Sequence, residues 1–431
     1  MKAITTSLAV AAALVWATGM QAVTLEQCHE AAASNYPEIK RYQLVELATG
    51  YDIANAKKAY LPQVQATGQA TWQNAVSSFP DKVESLYEQM GVELKGMSKD
   101  QYRVGIDASQ VIWDGGKTQA SIKQLQANER AARAQSDLTI YQVRSKINEL
   151  YFGVLMLEEN LKQNDEKARV LESNAQLMRS YVKGGVATVS DAQRVEAEIA
   201  VTRQQRHGIE QTEQAYRKVL SIFTGLDLST APLERPADIA VDDKVEARHP
   251  QLAYFDAQKA ALEAQRHSIK ASLMPQVTAI GTAYYGRPGY DMFKAMFQDK
   301  FSFNFMVGLK ATWSLSSLYT KKNNEAKIDN AERELNVERD KFLFNTSMAT
   351  AAKQGSIAAG EKELSEDDTI IALRESVRKA TESKLKHGII VPDDLVKDVS
   401  SEHMARLAKA YRELEILKNK YDIKYTVGGI N

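Results

Sequence analysis

Two long stretches of this chain repeat one another. YPEIKRYQLVELATGYDIANAKKAYLPQVQATGQATW, from Tyr36, aligns without a gap on HPQLAYFDAQKAALEAQRHSIKASLMPQVTAIGTAYY, from His249. Pro37 meets Pro250, Pro62 meets Pro275, and Gln63, Val64, Gly68 and Ala70 meet Gln276, Val277, Gly281 and Ala283, all 213 positions apart. Further on the spacing falls to 203: Val104-Gly105 meets Val307-Gly308, Lys183 and Gly185 meet Lys386 and Gly388, Asp191 meets Asp394, and Gly225 meets Gly428. Two copies of this length are too few for a solenoid. The fold is therefore expected to be one half built twice, as repeats 23–229 and 245–431, with the Pro- and acid-containing stretch 230–244 as linker.

Each half has the same predicted order. A helix of roughly thirty residues leads into a strand, a loop, a second strand and then a long helical hairpin. The strands fall at 61–73, 101–114, 275–286 and 301–315, and the hairpins at 116–223 and 318–425. At about 1.5 Å per residue the first helix of each hairpin extends roughly 100 Å, well beyond a globular domain. Val143, Ile147, Leu150, Val154, Leu157 and Leu161 step by four and three, a seam for side-by-side pairing.

The strands set a problem of their own. In LPQVQATGQATWQ, Val64, Ala66, Gly68, Ala70 and Trp72 alternate with Gln63, Gln65, Thr67, Gln69 and Thr71; in FSFNFMVGLKATWSL, Phe301, Phe303, Phe305, Val307, Leu309, Ala311 and Trp313 share one face. Strands of about 12 residues with one apolar and one polar face match those of outer-membrane barrels. On that reading Val64, Trp72, Phe303, Phe305 and Trp313 face lipid, and the Gln, Thr, Ser and Asn side chains with Arg103, Asp107 and Lys310 wet a lumen. Trp72, Trp113 and Trp313 fall near strand ends, where aromatic girdles lie. Four strands cannot close such a barrel, and lipid tolerates no open edge. Three copies supply twelve strands, so the expected fold is mixed: long α-helical hairpins plus a β-barrel shared by a homotrimer.

Residues 1–22, MKAITTSLAVAAALVWATGMQA, have the early lysine, apolar run and small-residue end of a secretory signal peptide. No later apolar run is long enough for a transmembrane helix. The single cysteine, Cys28, allows no internal disulfide. Fifty-five basic residues balance 55 acidic ones, which argues against a nucleic-acid partner. The six histidines are scattered and no phosphate loop, HExxH or GxSxG motif occurs. No enzyme activity, metal or cofactor is expected.

TLEQCHEAAASNYPEIK, the LPQV and MPQV strand entries, VIWDGGKTQASIKQ and GGVATVSDAQRVEAE together resemble the TolC-like outer-membrane efflux protein family, in order and over essentially the whole mature chain. The resemblance implies a homotrimer with a twelve-stranded barrel in outer-membrane lipid and a helical tunnel across the periplasm. It implies docking of the far tip onto a periplasmic adaptor, and through it onto an inner-membrane transporter. Carried onto this chain, Gly185, Val186, Gly388 and Ile389 occupy adaptor-docking turns. Asp394, with Asp191 and Asp393, is placed at the pore constriction. The family's second acid, three residues on, is Lys397 here, and Ile390 replaces a basic residue. From the residues alone Asp393 and Asp394 serve equally well as helix-start caps behind Pro392.

The expected function is a passive exit duct for small molecules such as drugs and toxic compounds, in the outer membrane of a tripartite export system. Protein secretion through a type I system is the alternative. A non-transporting periplasmic adaptor is less well matched, because adaptors own one hairpin per chain and small soluble β domains. The loops at 74–100 and 287–300 are short for a surface adhesin.

Overall fold

The computed structural model describes residues 22–92, 94, 96–241, 244, 249–387 and 389–429. The expected signal peptide, apart from Ala22, lies outside them. In chain order the elements are α1 (Leu25–Asn35), α2 (Ile39–Lys57), β1 (Gln63–Trp72), α3 (Asp81–Gln89), β2 (Asp100–Trp113), α4 (Lys117–Lys183) and α5 (Val189–Thr224). They continue with α6 (Pro250–Ser272), β3 (Gln276–Arg287), α7 (Met292–Phe297), β4 (Ser302–Thr312), α8 (Ser317–Lys386) and α9 (Pro392–Val427). The helix expected before β1 is in fact two. Tyr36 is extended (φ −64°, ψ 131°) because Pro37 disfavours the helical region in the residue before it.

Contacts divide the chain into two compact units. One comprises the described residues up to Tyr42, Ala134–Tyr254 and the chain from Glu338; the other comprises Gln43–Arg133 and Phe255–Val337.

In the first unit, the predicted seam forms a core. Val143, Ile147, Leu150, Tyr151, Phe152 and Val154 of α4 pack with Leu25 and Cys28 of α1, Leu220 of α5 and Leu414, Leu417 and Tyr421 of α9. Burying each such side chain contributes about 1.5–3 kcal/mol. Cys28 is buried, which pushes its thiol up to about 12. Thr24 caps α1 and Gln27 completes the capping box. The linker is held against the helices: buried Arg217 donates to the carbonyls of Leu228 (2.9 Å) and Ala231 (2.7 Å), and Val23 pairs with Leu233 as a parallel bridge. Such an arginine answers acceptors that would otherwise be buried without a partner.

Ion pairs across the two hairpins repeat with the sequence. Asp165–Arg206 (2.9 Å), Glu172–Arg203 (2.8 Å) and Glu158–Arg217 join α4 to α5. Asp368–Lys409 (2.5 Å), Glu375–Arg406 (2.8 Å) and Glu361–Lys420 (3.4 Å) join α8 to α9. Both partners of every second pair lie 203 positions beyond those of the first. The exposed pairs among them add only about 0–1 kcal/mol each, whereas the arginine of Glu158–Arg217 is buried; what all of them fix is hairpin register.

In the second unit the four strands form one antiparallel sheet in the order β1-β2-β3-β4. Val64 pairs with Ala108 and Val277 with Ala311, so the two hairpin registers are the same once the two offsets are applied. Beside the sheet, Ala127 of α4 packs against Ala261 and Ala264 of α6, and Arg266 bridges to Asp329 (2.8 Å) and Glu332 (3.3 Å) of α8.

Candidate functional site

The sheet register puts the alternating residues on two chemically distinct faces. One face carries Val64, Ala66 and Trp72 of β1, Val104 and Ile106 of β2, Ala279, Ala283 and Tyr285 of β3, and Phe303, Phe305, Val307 and Leu309 of β4. It is left uncovered: Val64 and Trp72 are exposed, Phe305 is 70% exposed and Val307 80%. A contiguous exposed apolar face of this kind marks a site of protein or membrane contact. At one end Phe301 stacks with Tyr285 (5.7 Å) and Tyr102 (6.4 Å), with Arg287 lying 5.4 Å from the Tyr102 and Phe301 rings. At the other end a bulge between Val111 and Trp113 leaves Trp113 exposed. Trp313, one residue past β4, donates its indole N–H to Leu273 O at 2.9 Å.

The opposite face is polar and internally bonded. Asp107 accepts from Thr282 (2.8 Å) on β3 and Thr67 (2.9 Å) on β1 and pairs with Arg103 (3.4 Å) on its own strand. Arg103 lies 4.5 Å over the Tyr284 ring. Three strands are thus tied through one carboxylate. The sequence assigned Arg103 and Asp107 to this face by alternation, but the cross-strand partners depended on register.

The far ends of the hairpins form two turns that are equivalent by sequence and different in chemistry. After α4, Gly185 adopts φ +72°, a left-handed conformation that suits glycine, and Val186 N–H returns to Tyr181 O at 2.9 Å. Thr188 then caps α5. Asp191 N–H donates to its hydroxyl (3.3 Å), and Asp191 Oδ2 accepts from the Thr188 N–H (3.0 Å) and hydroxyl (2.7 Å). These hydrogen bonds hold the Asp191 carboxyl below the usual carboxylate range. In the second turn Val391 stands where Thr188 stands in the first, and it makes no side-chain cap. Pro392 opens α9, and Asp393 and Asp394 are exposed in its first turn. The T-x-x-D signature of the first box is readable in the sequence.

Val186 is 68% and Ile389 70% exposed, so each turn presents an apolar side chain to solvent. Gly388 lies outside the described residues. Behind the turns, Leu171, Ala175, Met178, Val195, Leu385, Leu395 and Val399 make a single core from α4, α5, α8 and α9. Tyr181 OH donates to Lys386 O at 2.8 Å, linking the two hairpins next to their turns. Asp398, close in sequence to the expected constriction, is engaged by Thr381 at 2.6 Å. Among the described residues no cluster of His, Cys, Asp or Glu is placed to hold a metal ion, and no helix is long and apolar enough to cross a membrane.

Solved structures similar to it in fold include outer-membrane proteins and channels. The outer membrane protein VceC from Vibrio cholerae is 14% identical, with a TM-score of 0.66 over 94% of this chain and 96% of that one. The Campylobacter jejuni CmeC outer membrane channel is 12% identical, with a TM-score of 0.65 over 97% and 90%. The open state of the Neisseria gonorrhoeae MtrE outer membrane channel is 14% identical, with a TM-score of 0.62 over 94% and 89%. At these identities the likeness is one of fold. In sequence, residues 29–222 match the family model described as Outer membrane efflux protein. No curated relative matches the chain.

Proposed function

We propose that the protein is the passive outer-membrane exit channel of a tripartite export system, carrying small molecules such as drugs and toxic compounds from a pump to the exterior. The observation that carries this reading is the uncovered apolar sheet face with aromatic side chains at both ends, in a chain whose described helices cannot span a membrane. From Phe303 to Trp313 the strand covers roughly 34 Å at about 3.4 Å per residue. Tilted by about 40°, it rises roughly 26 Å, close to the ~25 Å apolar band of such barrels. Val64, Trp72, Phe303, Phe305 and Trp313 then meet lipid. The Asp107 face lines a lumen shared by three chains, and the helices lie in the periplasm.

The two structural repeats, 23–229 and 245–431, each supply one strand pair and one hairpin to this assembly, with 230–244 between them. The turns at Gly185, Val186, Gly388 and Ile389 dock a periplasmic adaptor, which links to an inner-membrane transporter. Asp393 and Asp394 ring the constriction; Asp191, engaged with Thr188, has less freedom to do so. A ring of carboxylates concentrates cations.

Bilayer conductance tests the ring: Asp393→Asn with Asp394→Asn should move the reversal potential in a salt gradient toward the non-selective value, and unchanged selectivity removes the ring from the mechanism. A photoactivatable phenylalanine at exposed Phe344 should crosslink copies into a ladder ending at three; a ladder ending at two or six refutes the trimer. Hypersensitivity of a deletion strain to antibiotics and detergents supports efflux. Loss of one secreted protein with unchanged drug sensitivity overturns the small-molecule reading in favour of secretion.

A further inference from the structure

A cavity of about 380 Å³ opens within the helical unit, lined from α4, α8, α9 and His249, the residue that starts α6. Small-molecule sites typically measure roughly 300–1,000 Å³. Aromatic rings form much of its wall: Tyr141, Phe342, Tyr425 and the imidazole of His249, which lies 5.2 Å from Tyr141 and 4.9 Å from Phe342.

His249 is an unusual cap. Its Nδ1 accepts the Gln251 N–H at 3.0 Å, so the hydrogen resides on Nε2. The residue is only 5% exposed, and Nε2–H has no hydrogen-bond partner among the described residues. Thr350, on the α8 face that carries the lining residues Thr346 and Lys353, is buried with its hydroxyl unpartnered. A buried polar group without a partner, as the Thr350 hydroxyl is, costs about 1–3 kcal/mol.

Among the described residues the charge around the cavity is unbalanced. Lys353 and Lys418 both lie 2.8 Å from Asp422, while Arg144 and Lys424 each lie 5.7 Å from the Tyr425 ring. Among the described residues Asp422 and Glu26 stand against these four cations; burial first, and then the Glu26 charge, raises the Tyr425 phenol. An anion with a flat apolar body answers the rings, the spare donors and the excess positive charge together.

We propose that this cavity binds a small aromatic carboxylate, its ring against Phe342 and Tyr141 and its carboxylate toward Lys353 and His249. The site takes walls from α4 of the first hairpin and α8 and α9 of the second, so occupancy favours the state in which they are packed together.

Full-length protein in nanodiscs is titrated with 2-naphthoate by calorimetry, with empty nanodiscs as blank. Saturable binding of one molecule per chain is expected, weakened at least tenfold by Phe342→Ala or Lys353→Gln, and at least tenfold weaker for the neutral 2-naphthamide. His249→Asn keeps a capping oxygen while removing the ring and its donor; it should weaken binding as much, with unchanged circular dichroism and ligand-free Tm. Absence of saturable binding at millimolar ligand, equal binding of the amide, or unchanged affinity in the folded His249→Asn protein overturns the proposal.

Discussion

Acidification from pH 7 to pH 4.5 should loosen the docking of α1, and His29 is the group responsible. Its ring is buried, donates to Asn148 Oδ1 at 3.0 Å and meets the Tyr425 ring edge-on at 4.7 Å. Burial, aided by the charge of Arg144, pushes the imidazole down from 6.5 to about 4. As pH falls below 6.5 the unfolded chain takes up a proton that the folded chain refuses until about 4. The unfolded state then binds more protons, so stability declines across that window and is complete only above it. The difference integrates to about 1.4 kcal/mol at pH 5.5 and about 2.6 kcal/mol at pH 4.5. Burial lowers His249 and His403 in the same direction, so the wild-type loss is larger than this one group's share. His29→Gln isolates it, because a glutamine amide can still donate to Asn148 and does not titrate. Urea unfolding followed by helical circular dichroism at both pH values gives the comparison. Wild type should lose about 2.4 kcal/mol more than the variant between pH 7 and pH 4.5; equal losses refute the assignment.

Thr188→Ala removes the cap of α5 and should cost about 1 kcal/mol locally, seen as faster hydrogen exchange over Val189–Ala192 with α9 unaffected. The hydrogen bonds that depress Asp191 make the wild-type cap acid-labile in a defined sense: it is intact above the ordinary value of 3.8 and lost as pH falls through the lower folded value, so exchange there should quicken only in strong acid. Gly105→Ala should abolish assembly, because a Cβ would sit 2.5 Å from Ala283 O and 2.5 Å from Tyr284 Cβ. Its counterpart Gly308→Ala, where the nearest atom is 3.8 Å away, should insert into the outer membrane like wild type. The amount of folded protein in outer-membrane fractions checks both.

What the sequence made legible was whatever depends on local periodicity. The faces of β1 and β4 followed from strict alternation, and the α4 seam from its four-three spacing. The break at Tyr36 was also local, but a helical pattern on both sides of Pro37 concealed it. Contacts set by register were out of reach. Asp107 finds Thr67 40 positions earlier and Thr282 175 positions later, and nothing in those segments marks them as partners. Arg217 is similar: it reads as one more charge on an amphipathic helix, and only the path of the linker turns it into a buried clamp.

The two copies keep the same frame and differ in what they expose. Strand register and three ion pairs recur at the repeat offsets, so the two copies share one hairpin geometry. Side chains at matching positions have separated. Tyr141 of α4 is partly buried and donates to Tyr425 O at 2.5 Å, whereas its match on α8, Phe344, is exposed, with Val337 and Met348 exposed on the same helix. A chain packing only with itself has no use for that face, and each exposed Phe or Met leaves about 1.5–3 kcal/mol of burial unrealised. Another copy of the chain is the partner the proposed barrel already requires, since four strands leave two open edges. The same division runs through the turns: the first copy's acid is engaged by Thr188, while Val391 gives Asp394 no cap, which in the proposed channel leaves that carboxylate available to the pore axis.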